Sequence, residues 1–205
     1  MVMRIKIPTG VKYIIGIDEV GRGPLAGPVL ICAVCLPRTS KYNKTFLKDF
    51  VDSKKLNHEK RLELFKKAQK SQKNGQVSYV FSFVGSALID RDGISKALKI
   101  AIKRALKKLD LPERECMVLL DGSLIAPCEY IFQKTIIKGD DRVKIISCAS
   151  VLAKVKRDKL MIRMSKKYPN YNFDEHKGYG TKKHISAIKK HGPSQIHRQS
   201  FLKNL

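Results

Sequence analysis

Three acidic side chains stand where apolar stretches of the sequence end, and their type and position suit metal-dependent chemistry. Asp18 and Glu19 directly follow the apolar residues 13–17, and Asp121 follows residues 117–120. Two adjacent acids are an unusual choice there, because charged side chains are seldom buried without a partner. Clustered carboxylates repel one another unless a cation binds between them, and hard oxygen ligands favour Mg²⁺ or Mn²⁺ over zinc. From spacing alone, helix caps and surface ion pairs remain alternatives to a metal site.

The periodicity of the sequence predicts the elements that must position these acids. Residues 29–36 form a second continuous apolar run, and the Gly- and Pro-rich segment before it predicts a strand–loop–strand unit. In residues 94–109 apolar side chains recur on one stripe while Lys and Arg fill the other, which is typical of an amphipathic helix. Further helices are predicted over residues 57–73, 145–167 and 182–190, and further strands over residues 77–84, 117–120 and 130–138.

The order of these elements predicts the fold class. Early strands follow one another directly, and later strands alternate with helices, which indicates an α/β fold with a mixed central sheet flanked by helices. A chain of 205 residues can bury a sufficient core as one domain. We therefore expect residues 1–205 to form a single domain, in which the residues from about 165 onward make a C-terminal helical extension.

The charge of the chain points to a polyanionic partner. Lys and Arg total 42 against 18 for Asp and Glu, which gives a formal net charge of +24. The basic residues run through the whole chain, so nucleic acid fits better than a membrane surface; a generally basic or ribosomal-type binder is the alternative. The longest apolar stretch, residues 29–36, is too short to span a bilayer, and the N-terminus lacks the apolar core of a signal peptide. We expect a cytoplasmic protein.

The five cysteines predict reduced thiols, because their number is odd and they are scattered. Cys32 and Cys35 form a C-x-x-C pair inside an apolar run, and no second pair or spaced Cys/His partner completes a zinc set. We interpret both as buried strand residues.

The segment GIDEVGRGPLAGPV, residues 16–29, is far more specific than the acids alone. Its three loop glycines and two prolines fix a backbone that can approach a ligand closely. The segment resembles the signature of the ribonuclease HII family. The resemblance continues through DSKKL at 52–56, LLDG at 119–122, IIKGDD at 136–141, SCASVLAKVKRD at 147–158, HKGYGT at 176–181 and HRQSF at 197–201.

The resemblance implies a ribonuclease H-like fold and a catalytic set of four acids that bind two divalent cations, Mg²⁺ or Mn²⁺. Carried over by motif, the set falls on Asp18, Glu19, Asp121 and Asp140. Asp140 is preferred to its neighbour Asp141 because it directly follows the Lys-Gly pair that the family places before its fourth acid. Asp158 lies in another of the matching segments, and local ion pairs on the long helix are the simpler role for it.

The resemblance also implies substrate-binding residues. Gly21, Arg22 and Gly23 match the loop that reads the ribose 2′-hydroxyl at an RNA–DNA junction through backbone contacts. Tyr179 matches the tyrosine that packs against the following deoxyribose, and Lys54 resembles a lysine that contacts the nucleic-acid backbone. The C-terminal extension would contact the substrate through this tyrosine. The histidines are assigned no catalytic role, and the HRQSF segment is expected to dock the tail onto the domain.

The expected activity is that of a metal-dependent endonuclease that leaves 5′-phosphates. It would hydrolyse the RNA strand of RNA–DNA hybrids and cut on the 5′ side of ribonucleotides embedded in duplex DNA, in ribonucleotide removal and primer removal. We expect a monomer without a membrane partner. One alternative is the sister family ribonuclease HIII, which normally carries an additional N-terminal domain and a different glycine loop, whereas 17 residues precede Asp18 here. The other is a basic nucleic-acid binder without catalysis, which retention of all four acids disfavours.

Overall fold

The computed structural model describes residues 5–203 and contains a five-stranded sheet. Its strands are β1 (Tyr13–Val20), β2 (Val29–Pro37), β3 (Ser78–Val84), β4 (Cys116–Asp121) and β5 (Gln133–Ile136), in the order β3-β2-β1-β4-β5. β2 is antiparallel to both β1 and β3, whereas β4 is parallel to both β1 and β5. The sheet is therefore mixed, with β1 at its centre.

Helices cover both faces of this sheet. The helices of the described residues are α1 (Tyr42–Leu47), α2 (His58–Lys73), α3 (Ser86–Asp92), α4 (Ile94–Leu109), α5 (Gly139–Arg142), α6 (Lys144–Lys167), α7 (Phe173–His176) and α8 (Lys182–His191). The apolar stripe of α4 packs on one face in a buried cluster, and α1, α2 and α6 share a second cluster with the other face. Because β2 is covered on both sides, its sequence is a continuous apolar run without alternation.

The long helix α6 crosses β1 at Gly16. A side chain there would place its Cβ 2.7 Å from the backbone carbonyl carbon of Ile145, in the first turn of α6. Glycine is therefore required because two backbones meet, although its own backbone has no left-handed conformation. This crossing fixes the start of α6 against the centre of the sheet, two residues before Asp18.

The C-terminal part of the chain has a small apolar cluster of its own. Tyr171, Phe173 and Ile188 pack there with Met161 from α6 and with Ala26 from the loop between β1 and β2. The cluster therefore attaches α7 and α8 to the second half of α6 and to the glycine-rich loop.

The predicted α/β fold with a mixed, helix-flanked sheet is confirmed, with differences at the ends of elements. β1 continues to Val20, so Asp18 and Glu19 lie within the strand and not beyond its end. β5 covers only residues 133–136 of the predicted 130–138, because the Gln133 side chain holds the preceding residues in a loop by donating to the carbonyls of Ala126, Pro127 and Tyr130. The short helices α1, α3, α5 and α7 were not predicted, because four to seven residues carry too little periodicity.

All five cysteines are free, and the predicted burial of Cys32 and Cys35 within a strand is confirmed, since both are buried in β2. Among the helices of residues 5–203, none is long and apolar enough to cross a membrane.

The crossing at Gly16 gives a stability prediction. Gly16→Ala should lower the free energy of unfolding by about 3 kcal/mol, because the new methyl group overlaps backbone atoms that cannot rotate away. Urea unfolding followed by circular dichroism measures the change. Gly23→Ala is the control, because a Cβ at Gly23 meets no atom within 4 Å and should cost less than about 1 kcal/mol. Equal unfolding midpoints for the two variants would contradict the packing argument.

Candidate active site

The central pair of parallel strands brings the acids together. Ile17 of β1 pairs with Leu120 of β4, so the residues that follow each of them lie side by side at the same end of the sheet. One carboxylate oxygen from each of Asp18, Glu19 and Asp121 can be chosen so that all three atoms lie within 4.8 Å of one another. This is the separation expected of ligands that share an ion, and it requires no movement of the backbone.

The electrostatics of this group are unfavourable without a cation. Burial raises the pKa of Asp18 well above its usual value, and the charge of Glu19 raises it further. Burial followed by the charge of Asp121 raises the pKa of Glu19, and burial followed by the charge of Asp140 raises that of Asp121. Each carboxylate is thus harder to ionise because of burial and a neighbouring negative charge.

Asp140 lies beside the three-acid group at the start of α5. Asp121 Oδ1 accepts hydrogen bonds from the backbone N–H groups of Gly139, at 2.6 Å, and Asp140, at 3.3 Å. Asp140 Oδ2 in turn accepts a hydrogen bond from Lys54 Nζ at 3.2 Å. The fourth predicted acid therefore lines the same cleft, but outside the set of three close oxygens and with a lysine as its present partner.

The two alternatives to Asp140 are engaged elsewhere. Asp141 is exposed and pairs with Lys55. Asp158 is buried on α6, where Lys154 binds it at 2.8 Å, as the sequence analysis expected. Neither side chain lines the cleft that holds the other acids.

The acidic group fits a divalent metal ion in its chemistry. All its donors are carboxylate oxygens, the type that Mg²⁺ and Mn²⁺ prefer. Glu19 Oε2 is buried and has no hydrogen-bond partner among the described residues. An unpaired buried oxygen is costly, and a cation would satisfy it while relieving the repulsion with Asp18 and Asp121.

The glycine-rich loop forms one wall of this cleft, and its glycines have different roles. Gly21 has φ +85°, and a Cβ there would collide with the side chain of Arg157. Gly23 has no left-handed conformation, and a Cβ there would meet no atom within 4 Å. The fold therefore requires glycine at position 21, whereas no atom of the described residues would contact a Cβ at position 23. Arg22 between them is half exposed and lies 3.8 Å from Glu19 Oε1.

All nine side chains and loop residues proposed from the sequence border one cleft. Tyr179 is 42% exposed and enters it from the turn between α7 and α8. The sequence analysis did not predict other lining residues, among them Ser150 and Arg61. The Arg61 side chain donates to the carbonyls of Ser53 and Leu56. The lining is Asp18, Glu19, Val20, Gly21, Arg22, Gly23, Ser53, Lys54, Arg61, Asp121, Asp140, Ser150, Lys154 and Tyr179.

Three of the histidines lie outside this cleft and are engaged with one another. His184 Nε2 lies 3.0 Å from His197 Nε2, and the ring of His176 stacks on that of His184. Burial lowers the pKa of all three, that of His184 to about 4. They are neutral packing groups of the C-terminal segment.

Comparison with known proteins agrees with this geometry. A family model described as Ribonuclease HII matches residues 15–204. Ribonuclease HII from Caldicellulosiruptor bescii is 44% identical over 196 residues, covering 96% of this chain and 89% of the relative. Ribonuclease HII from Ruminiclostridium cellulolyticum is 45% identical over 201 residues, covering 98% and 74%.

Solved structures share the fold at lower identity. Ribonuclease HII in a complex with PCNA from Archaeoglobus fulgidus matches with a TM-score of 0.73 at 20% identity, covering 91% of this chain and 94% of that one. Ribonuclease H2 from Pyrococcus horikoshii matches with a TM-score of 0.69 at 24% identity, covering 92% and 93%. A Bst-RNase HIII structure in complex with Mn²⁺ matches with a TM-score of 0.66 at 18% identity, covering 95% and 68%.

The sequence matches distinguish between the families that the sequence analysis weighed. The family model and the relatives above are all of the HII type, whereas the HIII structure above is 18% identical and shows a shared fold. Ribonucleases H depend on divalent metal ions and hydrolyse RNA in RNA–DNA hybrids, which suits a cleft of carboxylates in a chain of net charge +24. The chain belongs to the ribonuclease HII family and is a ribonuclease H endonuclease.

Proposed function

We propose that this enzyme cuts duplex DNA on the 5′ side of an embedded ribonucleotide, as well as the RNA strand of hybrids, and so serves ribonucleotide and primer removal. The observation that carries the proposal is that the acids Asp18, Glu19 and Asp121 line the same cleft as Gly23, where a Cβ would meet no protein atom within 4 Å. The acidic group therefore lies beside a stretch of backbone that a sugar can approach closely. Selection of RNA then needs no contact with a base, because the 2′-hydroxyl alone separates RNA from DNA.

The proposed catalytic residues are the four acids Asp18, Glu19, Asp121 and Asp140. They would hold two divalent cations, Mg²⁺ or Mn²⁺, as the Mn²⁺ bound to the structurally similar Bst-RNase HIII supports. When bound, such ions ready a water molecule for attack and stabilise the leaving 3′ oxygen. Lys54 would release Asp140 for this role and bind a substrate phosphate, since its ammonium group already lies at the edge of the cleft.

The substrate register follows from two protein segments that contact neighbouring sugars of the same strand. The backbone of Gly21–Gly23 would contact the 2′-hydroxyl of the ribonucleotide, and Arg22 would add a positive charge near the attacked phosphate. Tyr179 would pack against the deoxyribose that follows. With both sugars held, the phosphate that precedes the ribonucleotide would meet the acids, which places the cut on its 5′ side.

We expect Asp121→Asn to lower cleavage by more than about 100-fold, beyond the usual effect of losing a group that only supports a metal ligand. The amide oxygen can still accept from Gly139, so the fold is kept. Because the folded protein raises the pKa of Asp121, its charge destabilises the apo enzyme at neutral pH, and the variant should melt at a higher temperature in chelator. Cleavage rates and thermal melts with and without Mn²⁺ test this.

Asp141→Asn is the matched control, because Asp141 is exposed, adjoins Asp140 and lies outside the cleft. It should cleave like the wild type, and Mn²⁺ should raise its melting temperature as much as it raises that of the wild type. Wild-type turnover by Asp121→Asn, or equal losses in both variants, would refute the proposed acidic site.

Gly23→Ala should fold normally and still lose cleavage at a single ribonucleotide by roughly 100-fold, because its methyl group displaces the sugar from the acids. The test combines melting temperature with single-turnover rates. A stable variant with wild-type rates would mean that the open backbone at Gly23 does not face the substrate.

With a duplex that carries one ribonucleotide, the wild-type product should retain that ribonucleotide at the 5′ end of the downstream fragment. Tyr179→Ala should slow this cut about tenfold, the value of one lost apolar contact, and slow cutting within a continuous RNA strand much less. Product mapping on labelled strands measures position and rate together. Comparable cutting of an all-DNA duplex by the wild type would rule out 2′-hydroxyl reading.

A further inference from the structure

Two arginines under the glycine-rich loop are fully buried, and the activity proposed above does not use them. Arg157 on α6 and Arg198 in the C-terminal tail are each 0% exposed. Within residues 5–203 neither forms an ion pair with a carboxylate. Burial lowers the pKa of both, that of Arg198 to about 10. Burying two unpaired guanidinium groups side by side is expensive, so their hydrogen bonds identify what they hold.

Arg198 binds the carbonyl groups of the glycine-rich loop. Its guanidinium donates to the carbonyl oxygens of Gly21 at 2.5 Å, Arg22 at 2.8 Å and Gly27 at 3.0 Å. In a trans peptide, the C=O of one residue and the N–H of the next point in opposite directions. Holding the carbonyls of Gly21 and Arg22 inward therefore turns the N–H groups of Arg22 and Gly23 away from Arg198. No backbone acceptor among the described residues takes either N–H.

Arg157 connects the same loop to the turn that carries Tyr179. It donates to the carbonyl oxygens of Pro28 at 3.1 Å, Ala26 at 3.1 Å and Lys177 at 2.9 Å. Its guanidinium carbon also lies 5.9 Å from the centroid of the Tyr179 ring. One side chain thus contacts both segments that are proposed to read the two sugars.

Backbone bonds join these segments to the tail. Leu25 N–H donates to the Gly178 carbonyl, Gly27 N–H to the Ile196 carbonyl and Arg198 N–H to the Leu25 carbonyl, each at 2.8 Å. Outside this junction, Asp90 on α3 accepts hydrogen bonds from the backbone N–H groups of Gln199 and Ser200, both at 2.9 Å. The tail is therefore fastened on both sides of Arg198 and can hold it under the loop.

We propose that Arg198 and Arg157 are positioning residues that set the RNA selectivity of the enzyme: they hold the loop carbonyls inward, present the N–H groups of Arg22 and Gly23 to the ribose, and fix Tyr179 at a constant distance from them. The inference rests on the proposed reading of the 2′-hydroxyl and adds the residues that maintain the reading surface.

The test uses Arg198→Lys, which keeps the charge but replaces three nitrogens in a rigid planar fork with one, so its donors cannot match the three separate positions at which Arg198 binds the carbonyls of Gly21, Arg22 and Gly27. Hydrogen–deuterium exchange should become more than tenfold faster at the amides of Leu25 and Gly27, while the amides of β1 exchange as in the wild type. Arg104→Lys, an exposed arginine on α4, is the matched control and should change neither. Unchanged exchange in Arg198→Lys would overturn the positioning role regardless of what the loop reads.

The second measurement is binding in chelator, where no cleavage occurs, to a duplex with one ribonucleotide and to the same duplex in DNA. For Arg198→Lys the ratio of the two Kd values should fall to within twofold of one, while the Kd for DNA changes less than twofold. A role in stability alone would weaken both equally, and a retained ratio would overturn the inference. If the wild type itself shows no preference, the proposed reading fails at the binding step, and the exchange result still decides the positioning role.

If Arg198→Lys does not fold, Asp90→Ala provides the same test. It releases residues 199–200 from α3 without removing any core side chain. It should speed exchange at Leu25 and Gly27 and lower the Kd ratio part of the way. Wild-type values for both would overturn the proposal.

Discussion

The repulsion among three carboxylates held within 4.8 Å is the constraint on which the rest of the structure depends. Flexible chains would separate such charges, so the acids must be carried by elements that cannot move apart. Asp18 and Glu19 lie on the central strand and Asp121 on its parallel neighbour, with hydrogen-bonded strands on either side. The crossing of α6 at Gly16 then blocks a shift of β1 along its axis. The rigidity of the sheet thus maintains an arrangement that is unfavourable until a cation binds, as functional sites often require.

Much of the fold could be predicted because burial leaves a periodic record in the sequence. A strand covered on both faces is apolar throughout, as β2 is, and a helix covered on one face has a stripe, as α4 has. The three acids could be predicted because charge at the end of such runs is anomalous, and the family resemblance added Asp140. The start of β5 could not be predicted, because hydrogen bonds from a single side chain, Gln133, hold the preceding residues in a loop, and the apolar pattern of the sequence does not reveal such bonds.

Residue type alone also could not predict a residue's role where the same type has two different roles in the structure. With 42 Lys and Arg residues, residue type does not separate the buried Arg157 and Arg198 from the many other cations, because burial of a cation depends on carbonyl groups that the fold brings to it. The glycines show the same ambiguity. Gly21 and Gly23 look equivalent in the motif, and only the packing shows that the first accommodates Arg157 while the second leaves open space toward the cleft.

Helix α6 connects the acidic cleft to the glycine-rich loop and to the C-terminal cluster. Side chains three or four residues apart share one face of a helix, and the face toward the cleft carries Ser150, Lys154, Arg157 and Met161 in succession. The first two line the acidic cleft, Arg157 holds the glycine-rich loop and the turn of Tyr179, and Met161 packs in the C-terminal cluster. Because one rigid helix carries all four side chains, the spacing between its contacts with the acidic cleft, with the glycine-rich loop and with the C-terminal cluster is set by the helical rise. In the proposed function, the tail influences which sugar is accepted without contacting the atoms that react.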